Sequence, residues 1–130
     1  MAYILIVDDD GDFADSVSRV LRAAGHETAV ELSPEAGLAS ISARAPDLAI
    51  LDVMFPEGES AGFDLARRVR STQPRVRILM LTAVNQKYPL GFSREDMDEH
   101  WLPVTDFLEK PVRLKALEAK VASLLQTAAA

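Results

Sequence analysis

Four aspartates fall within five positions near the start of the chain, Asp8, Asp9, Asp10 and Asp12, directly after the apolar run YILIV. Carboxylates this close repel one another, so a cation or the positive end of a helix must compensate for them. Three more residues of reactive type close strand-like runs further on: Asp52 after LAIL, Thr82 after RILML and Lys110 after DFLE. Oxygen donors with no His or Cys nearby suit a hard divalent ion, and Mg²⁺ tolerates a few carboxylates plus waters and phosphate. A lysine beside them would neutralise added anionic charge, and a threonine hydroxyl could donate to one of its oxygens. The set reads as a phosphoryl-transfer site built around an aspartyl nucleophile.

Such residues meet only if the chain delivers them to one place. YILIV (3–7) reads as a buried strand. Phe13, Val17, Val20, Leu21 and Ala24 then recur at helical spacing before Gly25 stops the helix. HETAVEL supplies a second, more polar strand at an edge. Ser33 caps a helix with Pro34 at its first position and Leu38, Ile41 and Ala45 inward. DLAILDV (47–53) is the third strand, followed by a helix carrying Phe63, Ala66 and Val69. VRILMLTA (76–83) is the fourth strand and DFLEKP (106–111) the fifth. Leu114, Leu117, Val121, Leu124 and Leu125 make the last amphipathic helix. Alternating strands and helices, with near-continuous apolar strands, predict a parallel α/β sheet covered on both faces. Ligands collect at the carboxyl ends of such strands, where Asp8, Asp9, Asp52, Thr82 and Lys110 all fall. Residues 84–104 do not fit the alternation: they are polar, broken by Pro89, Gly91 and Pro103, and allow at most a short helix near 93–101.

The bulk properties narrow the function classes. A length of 130 residues suits one domain, here 1–130, and the apolar share of 48% is that of an ordinary globule. The net charge of −6 argues against a nucleic-acid surface. The absence of cysteine excludes disulfides, thiolate metal sites and a thiol nucleophile. The apolar run Ile4–Val7 is too short for a signal-peptide core or a membrane span, so no membrane association and a cytoplasmic location are expected.

The segments ILIVDDD, PDLAILDVMFP, ILMLTA and DFLEKPV, in this order, resemble the receiver domain of two-component response regulators over nearly the whole chain. The resemblance implies a flavodoxin-like doubly wound sheet of five parallel strands in the order 2-1-3-4-5. It implies that Asp52 accepts a phosphoryl group from a histidine kinase or phosphotransfer protein. Asp9 would bind Mg²⁺ directly, Asp8 through water, and Met54 through its backbone carbonyl. Thr82 would be the switch hydroxyl, Lys110 the phosphate-pairing lysine, Pro111 the residue after a cis bond, and Phe107 the aromatic that turns inward on phosphorylation. The output would be a changed surface for a downstream protein or a homodimer, with no direct contact to nucleic acid. Met54 and Val84, two residues beyond Asp52 and Thr82, cannot orient water, so self-dephosphorylation is expected to be slow. The loop FPEGESAGFD is longer than is usual in the family, and the enlarged 84–104 segment is expected to form a specialised docking or dimer surface.

Simpler readings apply to other residues. Asp10 and Asp12 are expected to serve the first helix, as a cap or by favouring its positive end. Asp47 reads as a surface residue at a strand start, and Trp101, His26 and His100 as packing or surface residues. Two rival functions remain. DDDGD contains D-x-D-G, the start of the haloacid-dehalogenase phosphatase signature, with Asp8 as nucleophile and Asp10 as acid/base. No aspartate follows Lys110, however, where that signature needs its second acidic pair. The other rival is a receiver-like interaction module that takes no phosphate, against which the complete Asp8, Asp9, Asp52, Thr82 and Lys110 set argues.

Overall fold

The computed structural model describes residues 2–52, 61–83, 106–110 and 112–126, and gives the backbone alone for 61–63, 82, 83, 106, 107, 109 and 110. Five parallel strands form one sheet in the order β2-β1-β3-β4-β5: β1 Tyr3–Val7, β2 Glu27–Glu31, β3 Leu48–Asp52, β4 Arg77–Ala83 and β5 Asp106–Lys110. The helices among the described residues are α1 Gly11–Ala23, α2 Pro34–Ala43, α3 Ala61–Thr72 and α4 Leu114–Gln126. Strand ends differ from the expected ones by about a residue, as helix and strand boundaries commonly do. Met54, Pro111, His100, Trp101, residues 53–60 of the loop after Asp52 and segment 84–104 lie outside the described residues, while the last four residues of the expected loop, 61–64, belong to α3 instead.

Period-two alternation sorts the central strands between two cores. Leu5, Val7, Ala49, Leu51, Ile78 and Met80 pack toward α2 and α3, against Ile41, Leu65, Ala66 and Val69. Ile4, Ile6, Leu48, Ile50, Leu79 and Leu81 pack toward α1 and α4, against Ala14, Val17, Leu21, Leu117 and Val121. Both faces of β1, β3 and β4 are thus covered, which is why these strands are apolar without interruption. β2, at the edge, is only partly buried, as its polar composition predicts.

Helix ends follow local chemistry. Asp10 is the N-cap of α1, its Oδ1 accepting from the Phe13 N–H at 3.1 Å, and Asp12 sits in the first turn. At the other end Gly25, at φ 98°, donates to Arg22 O and the His26 N–H donates to Leu21 O, closing a Schellman motif. Ser33 caps α2 through the Ala36 N–H. Two residues expected to face inward do not. Ala24 is exposed because it is the C-cap of α1, and Ala45 because α2 ends at Ala43. Pro46 forces this early stop, since the residue before a proline is pushed out of helical geometry. α1 instead buries Ala14 and Ser18, the latter through a 2.6 Å hydroxyl pair with Thr28 of β2.

Gly37 lies in the interior of α2, where glycine weakens a helix. A Cβ there would stand 2.8 and 2.9 Å from the methyl carbons of Val7, so its absence lets α2 close on β1.

Candidate functional site

Strand register brings the acidic residues level. Val7 of β1 pairs with Leu51 of β3, so Asp8 and Asp52, the next residues, end neighbouring strands side by side. Asp52 in turn pairs with Leu81 of β4, which places the backbone of Thr82 one step further along the same rim. β5 brings Lys110 to this end as well, its backbone paired with Ala83. Asp8 is anchored on its other side by its N–H to Glu31 O of β2 at 3.1 Å, and its Oδ1 accepts from the Asp10 N–H at 2.9 Å.

Carboxylate oxygens of Asp8, Asp9 and Asp52 all lie within 4.8 Å of one another. Asp8 and Asp52 are buried, whereas Asp9 is exposed. Removing carboxylates from water beside one another is costly unless a cation compensates. Three converging hard oxygen donors, without imidazole or thiolate, fit Mg²⁺ or a similar divalent ion. Among the described residues this is the one cluster of metal-binding type, and it unites three of the residues singled out from the sequence. Asp10 and Asp12 stay out of it and serve α1. For Thr82, Lys110 and Phe107 the backbone falls on the expected strands, β4 and β5, while Met54 lies outside the described residues.

The opposite end of the sheet carries contacts that the sequence did not disclose. Asp47 does more than start a strand: its Oδ2 accepts from the Tyr3 N–H at 2.8 Å, and its own N–H donates to Tyr3 O. Arg44 forms a bidentate pair with Glu27, at 2.7 and 2.8 Å, and stacks 3.9 Å above the Tyr3 ring. His26 Nδ1 accepts from the Ala2 N–H. A separate cleft of about 580 Å³ runs between α2 and α3, lined by Pro34, Glu35, Leu38, Leu65 and Arg68 among others. It contains none of the three clustered aspartates.

The family described as "Response regulator receiver domain" matches residues 4–122. The transcriptional regulatory protein AfsQ1 of Streptomyces coelicolor is 31% identical over 126 residues, 97% of this chain and 52% of its own length. The DNA-binding response regulator MtrA of Mycobacterium tuberculosis is 33% identical over 123 residues, 95% of this chain and 50% of its own. The chain therefore spans about half the length of these relatives. Among solved structures, the receiver domain of NtrX from Brucella abortus superposes with a TM-score of 0.80 at 28% identity, covering 95% of this chain and 98% of that one. A CheY-like receiver domain protein from Methanospirillum hungatei gives 0.82 at 27%, covering 98% and 96%.

The fold is of the doubly wound α/β class, with an acidic cluster at the carboxyl rim of its parallel sheet. The chain belongs to the response regulator receiver domain family of two-component systems. A phosphorylation-dependent switch is the function expected of it, and members of the family generally bind Mg²⁺ at the acidic pocket and interact with histidine kinases and downstream effectors. They are signalling proteins and generally not enzymes. No helix among the described residues is long and apolar enough to cross a membrane.

Proposed function

We propose that residues 1–130 form a single cytoplasmic receiver domain in which Asp52 accepts a phosphoryl group from the phosphohistidine of a histidine kinase or phosphotransfer protein. The convergence of Asp8, Asp9 and Asp52 within 4.8 Å carries this reading. A carboxylate oxygen of Asp52 attacks phosphorus in line with the N–P bond; the O–P bond forms as the N–P bond breaks, and the imidazole leaves. Asp8, Asp9, Asp52 and the Met54 carbonyl would hold Mg²⁺, which when bound supplies the positive charge that lets anionic donor and acceptor approach.

Lys110 pairs with the transferred group, and the Thr82 hydroxyl donates to one of its oxygens. The added charge of about −2 draws Thr82 toward the site, and Phe107 moves into the space it leaves, altering the surface around β4 and β5. That surface meets a downstream protein or a second copy of the chain, with no direct contact to nucleic acid. Met54 and Val84 are apolar beside the path of attacking water, so the aspartyl phosphate decays slowly.

The test combines a small donor with a mimic. With Mg²⁺, acetyl phosphate should phosphorylate the parent chain and beryllofluoride should bind it, and EDTA should abolish both. Asp52→Asn should accept no phosphate; an unchanged yield in that variant would remove Asp52 as nucleophile.

A further inference from the structure

Asp52 is only 5% exposed, so a phosphohistidine can reach it only if the donor protein presses closely against the surrounding rim. Whatever side chains stand on that rim are then covered in the encounter. Leu32 is 54% exposed and is the large apolar side chain left open to solvent among the described residues. Isolated exposed leucines need no explanation in general, so its position is what matters.

Leu32 directly follows Glu31, which pairs with Val7 and whose carbonyl accepts the Asp8 N–H, so it leaves the sheet level with Asp8 of the acidic site. Its Cδ2 lies 3.8 Å from where a Cβ on Gly11 would stand, against the first residue of α1. Exposed acids flank the place in sequence: Asp9, Asp10 and Asp12 around Gly11, and Glu35 after Leu32. An apolar knob within an acidic border fits a partner surface with an apolar hollow and a cationic rim, and complementary charge also speeds encounter.

We propose that Leu32 is a docking anchor for the phosphohistidine-bearing donor protein, seated on the β2–α2 corner while the phosphoryl group is delivered. This rests on Asp52 being the acceptor, and a two-donor experiment separates the two claims. Phosphoramidate is small enough to need only the pocket, whereas a protein donor also needs the rim. The protein donor is the autophosphorylated histidine kinase that transfers fastest to the parent chain within a panel of purified kinases.

Leu32→Ala should lower kcat/KM for transfer from that kinase about tenfold, the scale of one lost leucine contact, and chiefly through KM. Leu32→Met should retain most of the parent rate. Phosphorylation of both variants by phosphoramidate should match the parent. Equal kinase transfer to Leu32→Ala and parent would overturn the proposal alone, as would phosphoramidate labelling of a parent that no kinase labels. Failure of phosphoramidate to label the parent would overturn the acceptor reading, and the docking role with it.

Discussion

The two ends of one sheet treat carboxylates in opposite ways. At the carboxyl end, Asp8, Asp9 and Asp52 face one another within 4.8 Å. At the amino end each carboxylate faces a donor: Glu27 takes two hydrogen bonds from Arg44, and Asp47 takes the Tyr3 N–H. Both ends tie distant parts of the chain together, so connectivity does not explain the contrast. The amino end is arranged for the folded chain alone. The carboxyl end instead gathers three acceptors of like charge at one spot, a donor set suited to a bound cation.

The sharpest way to break this comparison is to remove one charge from the acidic end. Asp8→Asn keeps an oxygen to accept the Asp10 N–H, so the local turn should survive. In EDTA, relief of like-charge crowding should stabilise the fold by about 1–3 kcal/mol. The same change should weaken Mg²⁺ at least about tenfold, erasing most of the rise in Tm that the ion gives the parent. Thermal unfolding with and without Mg²⁺ measures both effects. A variant less stable than the parent in EDTA would show that the carboxylates do not oppose folding, and the contrast between the ends would collapse.

The next prediction asks how far the acidic end depends on the packing beneath it. Val7 immediately precedes Asp8, and its methyl carbons would meet a Cβ on Gly37 at 2.8 and 2.9 Å. Alanine gains about 1 kcal/mol in helix propensity, but overpacking a filled core costs about 1–3 kcal/mol. Val7 is β-branched and cannot swing clear, so the clash should win. Gly37→Ala should lower Tm by several degrees and weaken Mg²⁺ binding as β1 shifts. Loss of stability with unchanged Mg²⁺ affinity would uncouple the site from α2.

How much of this the sequence disclosed follows from range. The acidic end was legible because Asp8 with Asp9 closes one apolar run and Asp52 another, and a parallel sheet aligns run ends without knowledge of register. Asp10 was legible as a cap because a cap is local. The amino end was not. Arg44 looks like one more surface cation, and only the packing of α2 beside β1 and β2 sets it between Glu27 and Tyr3. Asp47 is the exposed strand-start residue the sequence suggests, but its hydrogen bond to a backbone 44 positions away leaves no local signal. Ser18, buried against Thr28, broke the apolar pattern from which the inward face of α1 was read.

The smallest effect concerns the pair that defines the amino end. Arg44 donates two hydrogen bonds to Glu27 and holds its carboxyl below the ordinary value of 4.5, while Glu27 raises the guanidinium further above its range. A carboxyl whose pKa is lowered by folding stabilises the fold above its unfolded pKa, and that contribution is lost as pH falls through the folded pKa. Arg44 stays charged throughout, so the whole pH dependence of the pair comes from Glu27. Both side chains are about half exposed, so salt and water screen them and the effect should be slight. Glu27→Gln should therefore lower Tm modestly at pH 7 in low salt, and the gap to the parent should close below the ordinary carboxyl value or in concentrated salt. A gap that stayed constant from neutral to acidic pH would mean that glutamine lost packing rather than charge. The amino end would then owe its order to the Arg44–Tyr3 stack and the Asp47 hydrogen bond, and the opposition of paired to crowded carboxylates would narrow to Asp47 alone.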